Sequence, residues 1–119
     1  MSKKKITGGK LRKHRKKRKR EIKKFLKKVK LGERKIKKLR ALGGNQKVVL
    51  LQDNYANVKD KDGKIKKVKI LDVLETPANK FFTRAKILTK GTIIKTEIGK
   101  AKITNRPGQE GMINAILIE

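Results

Sequence analysis

Two hydrophobic periods divide the chain. Between Arg20 and Leu31 the apolar residues Ile22, Phe25, Leu26 and Val29 stand at i, i+3, i+4 and i+7 among lysines, the spacing of one helix face, with Gly32 placed to stop it. Beyond Gly32 the pattern changes to short runs of β-branched residues separated by turn residues. Strands are predicted over 36–42, 47–51, 55–59, 65–70 running on to 74, 85–89, 92–97, 101–104 and 112–118. The first is the least distinctive, because Ile36 and Leu39 also fit one helical turn. In 92–98, Ile94, Thr96 and Ile98 fall on one face against Lys95 and Glu97, and Ala101 and Ile103 repeat that alternation against Lys100 and Lys102.

Turn residues punctuate the strands. Asp62-Gly63 is the clearest local signal, since this pair tolerates the positive φ angles of a tight hairpin, and it should join 55–59 to 65–70. Gly43-Gly44-Asn45 separates the first two strands, Pro77 ends the long run before it, Gly99 turns the chain, and 106–111 is read as a loop. Short strands at close spacing with no second helical pattern predict a mainly β protein. The expected form is a small antiparallel β-barrel with an extended basic N-terminal arm and one short helix at most. The division expected is 1–31 for the arm, partly helical near 20–31, and 32–119 for the barrel. Closure into a barrel removes sheet edges that would otherwise pair with other chains.

Charge changes the picture for the front of the chain. The net charge is +27, and residues 1–40 hold 22 of the 37 basic side chains against two acids, Glu21 and Glu33, or +20 of that total. Eight of the nine positions from Arg12 to Arg20 are cations. No folded core holds such a run, and its few apolar residues cannot offset backbone ordering at about 1–2 kcal/mol per residue. The arm is therefore expected to order on a polyanion. Nucleic acid leads over an anionic membrane surface, and a chromatin-like or membrane-surface protein with general polyanion binding is the alternative. The Ile22–Val29 stripe could lie on a membrane or dock on the domain behind it; docking is preferred, since Phe25 without any Trp makes a weak anchor.

Candidate chemistry is sparse. The chain has no cysteine, hence no disulfide and no thiolate metal site, and no cofactor is expected. No apolar run approaches 18 residues and no secretory segment is recognised, so cytosol is the expected location. His14, the sole histidine, has no nearby Cys, Asp or Glu and is read as a contact to phosphate or base. Gly8-Gly9 is either a flexible joint or a backbone cradle for phosphate, a reading that the surrounding cations favour. Asp53, Asp60, Asp62 and Asp72 form no recognisable acid–base set, and an enzyme is not expected. With four aromatic residues, Phe25, Tyr55, Phe81 and Phe82, a base-stacking platform is not predicted, and Phe81-Phe82 are assigned to core or loop packing. Lys and Arg suit neutralisation of phosphates on folded RNA, and no helix-turn-helix, zinc-finger or basic-zipper pattern points to DNA.

Nine short motifs in order carry a resemblance: Thr7-Gly8-Gly9; His14-Arg15-Lys16-Lys17-Arg18-Lys19; Gly32-Glu33-Arg34-Lys35; Gly43-Gly44-Asn45; Ala56-Asn57-Val58; Asp72-Val73-Leu74; Pro77-Ala78-Asn79; Thr89-Lys90-Gly91; and Arg106-Pro107-Gly108-Gln109-Glu110-Gly111. On these the chain resembles the S-eight-e family of small-subunit ribosomal proteins, in the short archaeal form. The resemblance implies a β-barrel seated on small-subunit ribosomal RNA beside neighbouring ribosomal proteins, with the arm between RNA helices. It implies no membrane and no small-molecule substrate. Where motif and charge coincide, the RNA contacts expected are Thr7, Gly8, Gly9, Lys10, Arg12, Lys13, His14, Arg15, Lys16, Lys17, Arg18, Lys19, Arg20, Arg34, Lys35, Gly43, Gly44, Asn45, Lys47 and Arg106.

Overall fold

In the computed structural model, residues 4–12, 14–22 and 27–118 are described. Nine strands follow in chain order: β1 (Val29–Leu31), β2 (Lys35–Arg40), β3 (Gln46–Asp53), β4 (Tyr55–Lys59), β5 (Ile65–Glu75), β6 (Ile87–Leu88), β7 (Ile93–Thr96), β8 (Lys100–Ile103) and β9 (Asn114–Leu117). Two short helices, α1 (Lys80–Arg84) and α2 (Pro107–Glu110), and two 3₁₀ turns, Lys19–Glu21 and Leu42–Gly44, complete the elements.

Strands β4, β5, β7, β8 and β9 close into a barrel in that order. Four of its seams are antiparallel and the closing pair, β4 with β9, is parallel. With five alternating strands the first and last run the same way, so a parallel seam is unavoidable. The interior is filled by setting a large residue opposite a small one. Val68 faces Ala56, Ile94 faces Ala101, and both Val58 and Ile103 face Ala115, all of them buried. Five strands leave too little room for two large side chains at one level.

The remaining strands form a second sheet, ordered β2-β3-β1-β6, which the strand pattern did not foretell. Its buried residues Val29, Leu50 and Leu88 join the barrel interior in one continuous core. Asp53 makes the corner where β3 passes into β4. Its carboxylate, 2% exposed, accepts the backbone N–H groups of Asn54 (2.9 Å) and Tyr55 (3.1 Å), so a bend that breaks the ladder leaves neither donor unsatisfied. Strand β2 forms an edge with Lys35, Lys37, Lys38 and Arg40 exposed, charges that discourage pairing with another chain.

Several expectations are corrected. The helix expected to Leu31 is a 3₁₀ turn at Lys19–Glu21 and a strand at Val29–Leu31; the positions between them that carry Phe25 and Leu26 lie outside the described residues. Val29 is fully buried opposite Leu88, while Ile22, assigned to the same helical face, is exposed. Burial between two strands outweighs the local helical spacing. The strand expected over 85–89 shortens to Ile87–Leu88 because Ala85 and Lys86 close the end of α1, their N–H groups donating to the Phe81 (3.2 Å) and Thr83 (3.1 Å) carbonyls; at its start Asn79 caps the helix, its side chain accepting the Phe81 N–H at 2.9 Å. Phe81, assigned to packing, is exposed there. The 106–111 loop contains one helical turn, with Pro107 at its start and left-handed Gly111 at its end. The first strand stops at Arg40, and Leu42 lies exposed in the following turn. Ile98 leaves the buried face because β7 ends at Thr96, whose hydroxyl donates to the Gly99 carbonyl at 2.7 Å and closes the turn.

Candidate nucleic-acid interface

Every side chain described between Lys4 and Ile22 is exposed. The radius of gyration is 19.6 Å, against about 14 Å for a compact chain of this length. Within this extended arm the structure finds two local closures. Thr7 and Gly8 lie in a hairpin: the Gly8 N–H donates to the Lys5 carbonyl (2.9 Å), the Lys5 N–H to the Gly9 carbonyl (2.8 Å), and Lys4 bridges Lys10. Gly8 takes the positive φ (81°) that this turn requires. The Asp60–Lys64 hairpin uses the same pair of bonds at 3.1 and 2.8 Å, with Gly63 rather than Asp62 at positive φ. Gly8-Gly9 thus belongs to a shaped turn.

The second closure is at the dense run. Arg15 forms a two-pronged contact with Glu21, both bonds 2.8 Å, and Glu21 also accepts the Arg18 N–H at 3.1 Å. The Arg15 guanidinium, and after it the Arg18 N–H, hold the Glu21 carboxyl below its ordinary range. Arg12, His14, Lys16, Lys17, Arg18 and Arg20 are exposed around this loop, and Lys19 begins the 3₁₀ turn; Lys13 lies outside the described residues.

The other expected contacts fall on three parts of the body. Arg34 sits at the β3–β4 corner, 3.9 Å from the Asp53 carboxylate, and Lys35 opens β2. Gly43, Gly44 and Asn45 make the tip between β2 and β3, where positive φ at Gly43 (68°) and Gly44 (78°) needs glycine. Beside it lies a recess lined by Lys38, Arg40, Gly44 and Gln46. Lys47 and Arg106, 59 positions apart in sequence, meet in a cleft of about 410 Å³ with Lys90, Asn105, Gln109 and Glu110. The cleft lies where α2 packs on β3: Lys47 donates to Gln109 at 2.8 Å. Lys90, Gln109 and Glu110 were not among the expected contacts, although each belongs to a matched motif. Lys37, Lys38 and Arg40, exposed together on β2, were likewise not among the expected contacts, although they stand on one short run of sequence.

No group of three His, Asp or Glu side chains suited to a metal ion occurs among the described residues, and no helix there is long and apolar enough to cross a membrane. Fold and surface together define a class: a small closed β-barrel joined to a second sheet and carrying an exposed, strongly cationic arm. A family profile described as ribosomal protein S8e matches residues 1–118. The chain belongs to that family. It is 54% identical over 117 residues to a protein of Sulfurisphaera tokodaii, covering 97% of this chain and 91% of that one. Against an Ignicoccus hospitalis protein it is 55% identical over 119 residues (98% and 92%), and against one from Nanoarchaeum equitans 52% over 106 residues (88% and 84%). All three are named small ribosomal subunit protein eS8.

Proposed function

We propose that the protein is a structural constituent of the small ribosomal subunit in the cytoplasm, where it binds folded ribosomal RNA, adjoins other ribosomal proteins and supports subunit assembly and translation. The observation that carries this reading is the separation of charge from core: +20 lies in the first 40 residues, and the described side chains of 4–22 are exposed, ahead of a closed barrel. Membership of the S8e family and the names of the relatives support it. They lend no support to the chromatin-like or membrane-surface alternative.

In this reading residues 1–31 are the RNA-binding arm and 32–119 the seat that fixes it, with β1 tying one to the other. The contacts are Thr7 to Lys10 and Arg12 to Arg20 in the arm, Arg34, Lys35, Gly43, Gly44 and Asn45 on the second sheet and its tip, and Lys47 and Arg106 in the cleft. Lysine and arginine there neutralise phosphates, and the role involves no catalytic step, membrane or small-molecule substrate. Fractionation of cells expressing the tagged chain tests the reading. Co-sedimentation with small subunits through a high-salt wash is expected; release with DNA or lipid instead would overturn it.

A further inference from the structure

The cleft holding Lys47, Lys90 and Arg106 has a composition that phosphate neutralisation does not explain. Its volume of about 410 Å³ lies within the roughly 300–1,000 Å³ of small-ligand sites, yet no aliphatic or aromatic side chain lines it. Glu110 stands among three cations and forms no ion pair among the described residues. A surface meant for phosphate alone gains nothing from a free carboxylate. Gln109 spends its oxygen on Lys47, which leaves its amide nitrogen free to donate.

The walls are set before any ligand arrives. Asn105 donates to the Met112 carbonyl (2.8 Å) and accepts the Asn114 N–H (3.0 Å), so it shapes the loop and has little left to offer. Lys90 sits in a tight turn closed by the Thr92 N–H to the Thr89 carbonyl (3.2 Å) and tied to β8 by the Gly91 N–H to the Ile103 carbonyl (2.8 Å). Lys90 and Arg106, both lining the cleft, have no carboxylate partner among the described residues.

We infer that this cleft takes one unpaired guanosine of the bound RNA, its phosphate on Lys90 and Arg106 and its Watson–Crick edge on Gln109 and Glu110. Guanine is the one common base with two N–H donors side by side on that edge, N1–H and N2–H, matched to a carboxylate, and its O6 beside them accepts from an amide such as that of Gln109. Adenine and cytosine present one amino donor next to an acceptor, and uracil a single N–H between two oxygens. Unpaired bases are read in this way by side chains, with arginine planes available for stacking. The inference rests on the RNA-binding reading and adds base choice to it.

The test uses the full chain and the labelled oligoribonucleotides UUGUU and UUAUU, at salt high enough to screen the arm. UUGUU is expected to bind about tenfold tighter. Glu110→Gln is expected to bring the two within about twofold, and Arg106→Ala to weaken both alike. Glu110 is exposed, and circular dichroism checks that its variant folds. Equal affinities in the unaltered chain, or a guanine preference that survives Glu110→Gln, would overturn the inference. If the chain still binds ribosomal RNA fragments in that case, the cleft assignment falls and the general reading stands; if it binds no RNA, both fall. Competition by 5′-GMP as effective as UUGUU would assign the cleft to free nucleotide and overturn the RNA assignment.

Discussion

Gly111 and Val48 are so closely apposed that a Cβ on the glycine would lie 2.9 Å from Val48 Cγ1, and this contact seats α2 on β3. Gly111 is also in the left-handed region, at φ 71°. Gly111→Ala therefore incurs both a backbone cost of about 1–2 kcal/mol and overpacking of about 1–3 kcal/mol. Gly44→Ala has a similar φ, 78°, with nothing within 4 Å of the new atom, so it should cost only the backbone share, about 1–2 kcal/mol. Urea unfolding of the two variants separates the terms, and equal losses would show that α2 yields without resistance.

The Asp53 corner gives a second contrast. Asp53→Ala removes the acceptor for two N–H groups at a buried bend, and a loss of about 1–3 kcal/mol is expected. Its partner Arg34 is exposed and 3.9 Å distant, so Arg34→Ala should change stability by at most about 1 kcal/mol. The same substitution should still weaken RNA binding if Arg34 contacts phosphate, which a filter-binding titration reads directly.

Acid should open the arm loop before it unfolds the barrel. Glu21 is held below its ordinary value first by Arg15 and then by the Arg18 N–H, so the loop's closure is complete above the ordinary carboxylate value of about 4. It is lost as pH falls through the lowered value. The Arg18 amide resonance in an NMR titration should report a midpoint below that of an ordinary glutamate, and Arg15→Ala should raise it toward the ordinary value. An unchanged midpoint would mean that the contact does not persist in solution.

Deleting residues 1–20 removes 12 of the 37 basic side chains and no part of either sheet. Circular dichroism should keep its β signature while RNA affinity drops sharply. With about eight phosphates met by the intact chain, log affinity should fall with log salt at a slope of roughly −6 to −7, and the truncated chain should show a shallower one. An unchanged slope would place the contact surface on the barrel instead.

Local chemistry was legible wherever the deciding partners lie close in sequence. The bounds of β4 and the Asp60–Lys64 hairpin follow from alternation and one Asp-Gly pair, and the arm follows from charge density that no core accepts. Val29 was misread because its surroundings, Leu50 and Leu88, are 21 and 59 positions away. The short turns of α1 and α2 were missed because four or five residues are too few to show a period, although Asn79, Pro107 and Gly111 mark their ends. The cleft could not be read at all as a unit.

The sequence by itself determined that the front third carries the charge, that the rest is β, and which short turns reverse the chain. These depend on solvation of cations, on side-chain alternation and on the φ freedom of glycine, all properties of neighbouring residues. Tertiary structure decided that five strands close and four form a second sheet, and that Lys47, Lys90, Arg106 and Glu110 share one cleft. Such pairings are selected by the fit of large against small side chains across strands, a condition that exists only once distant segments meet.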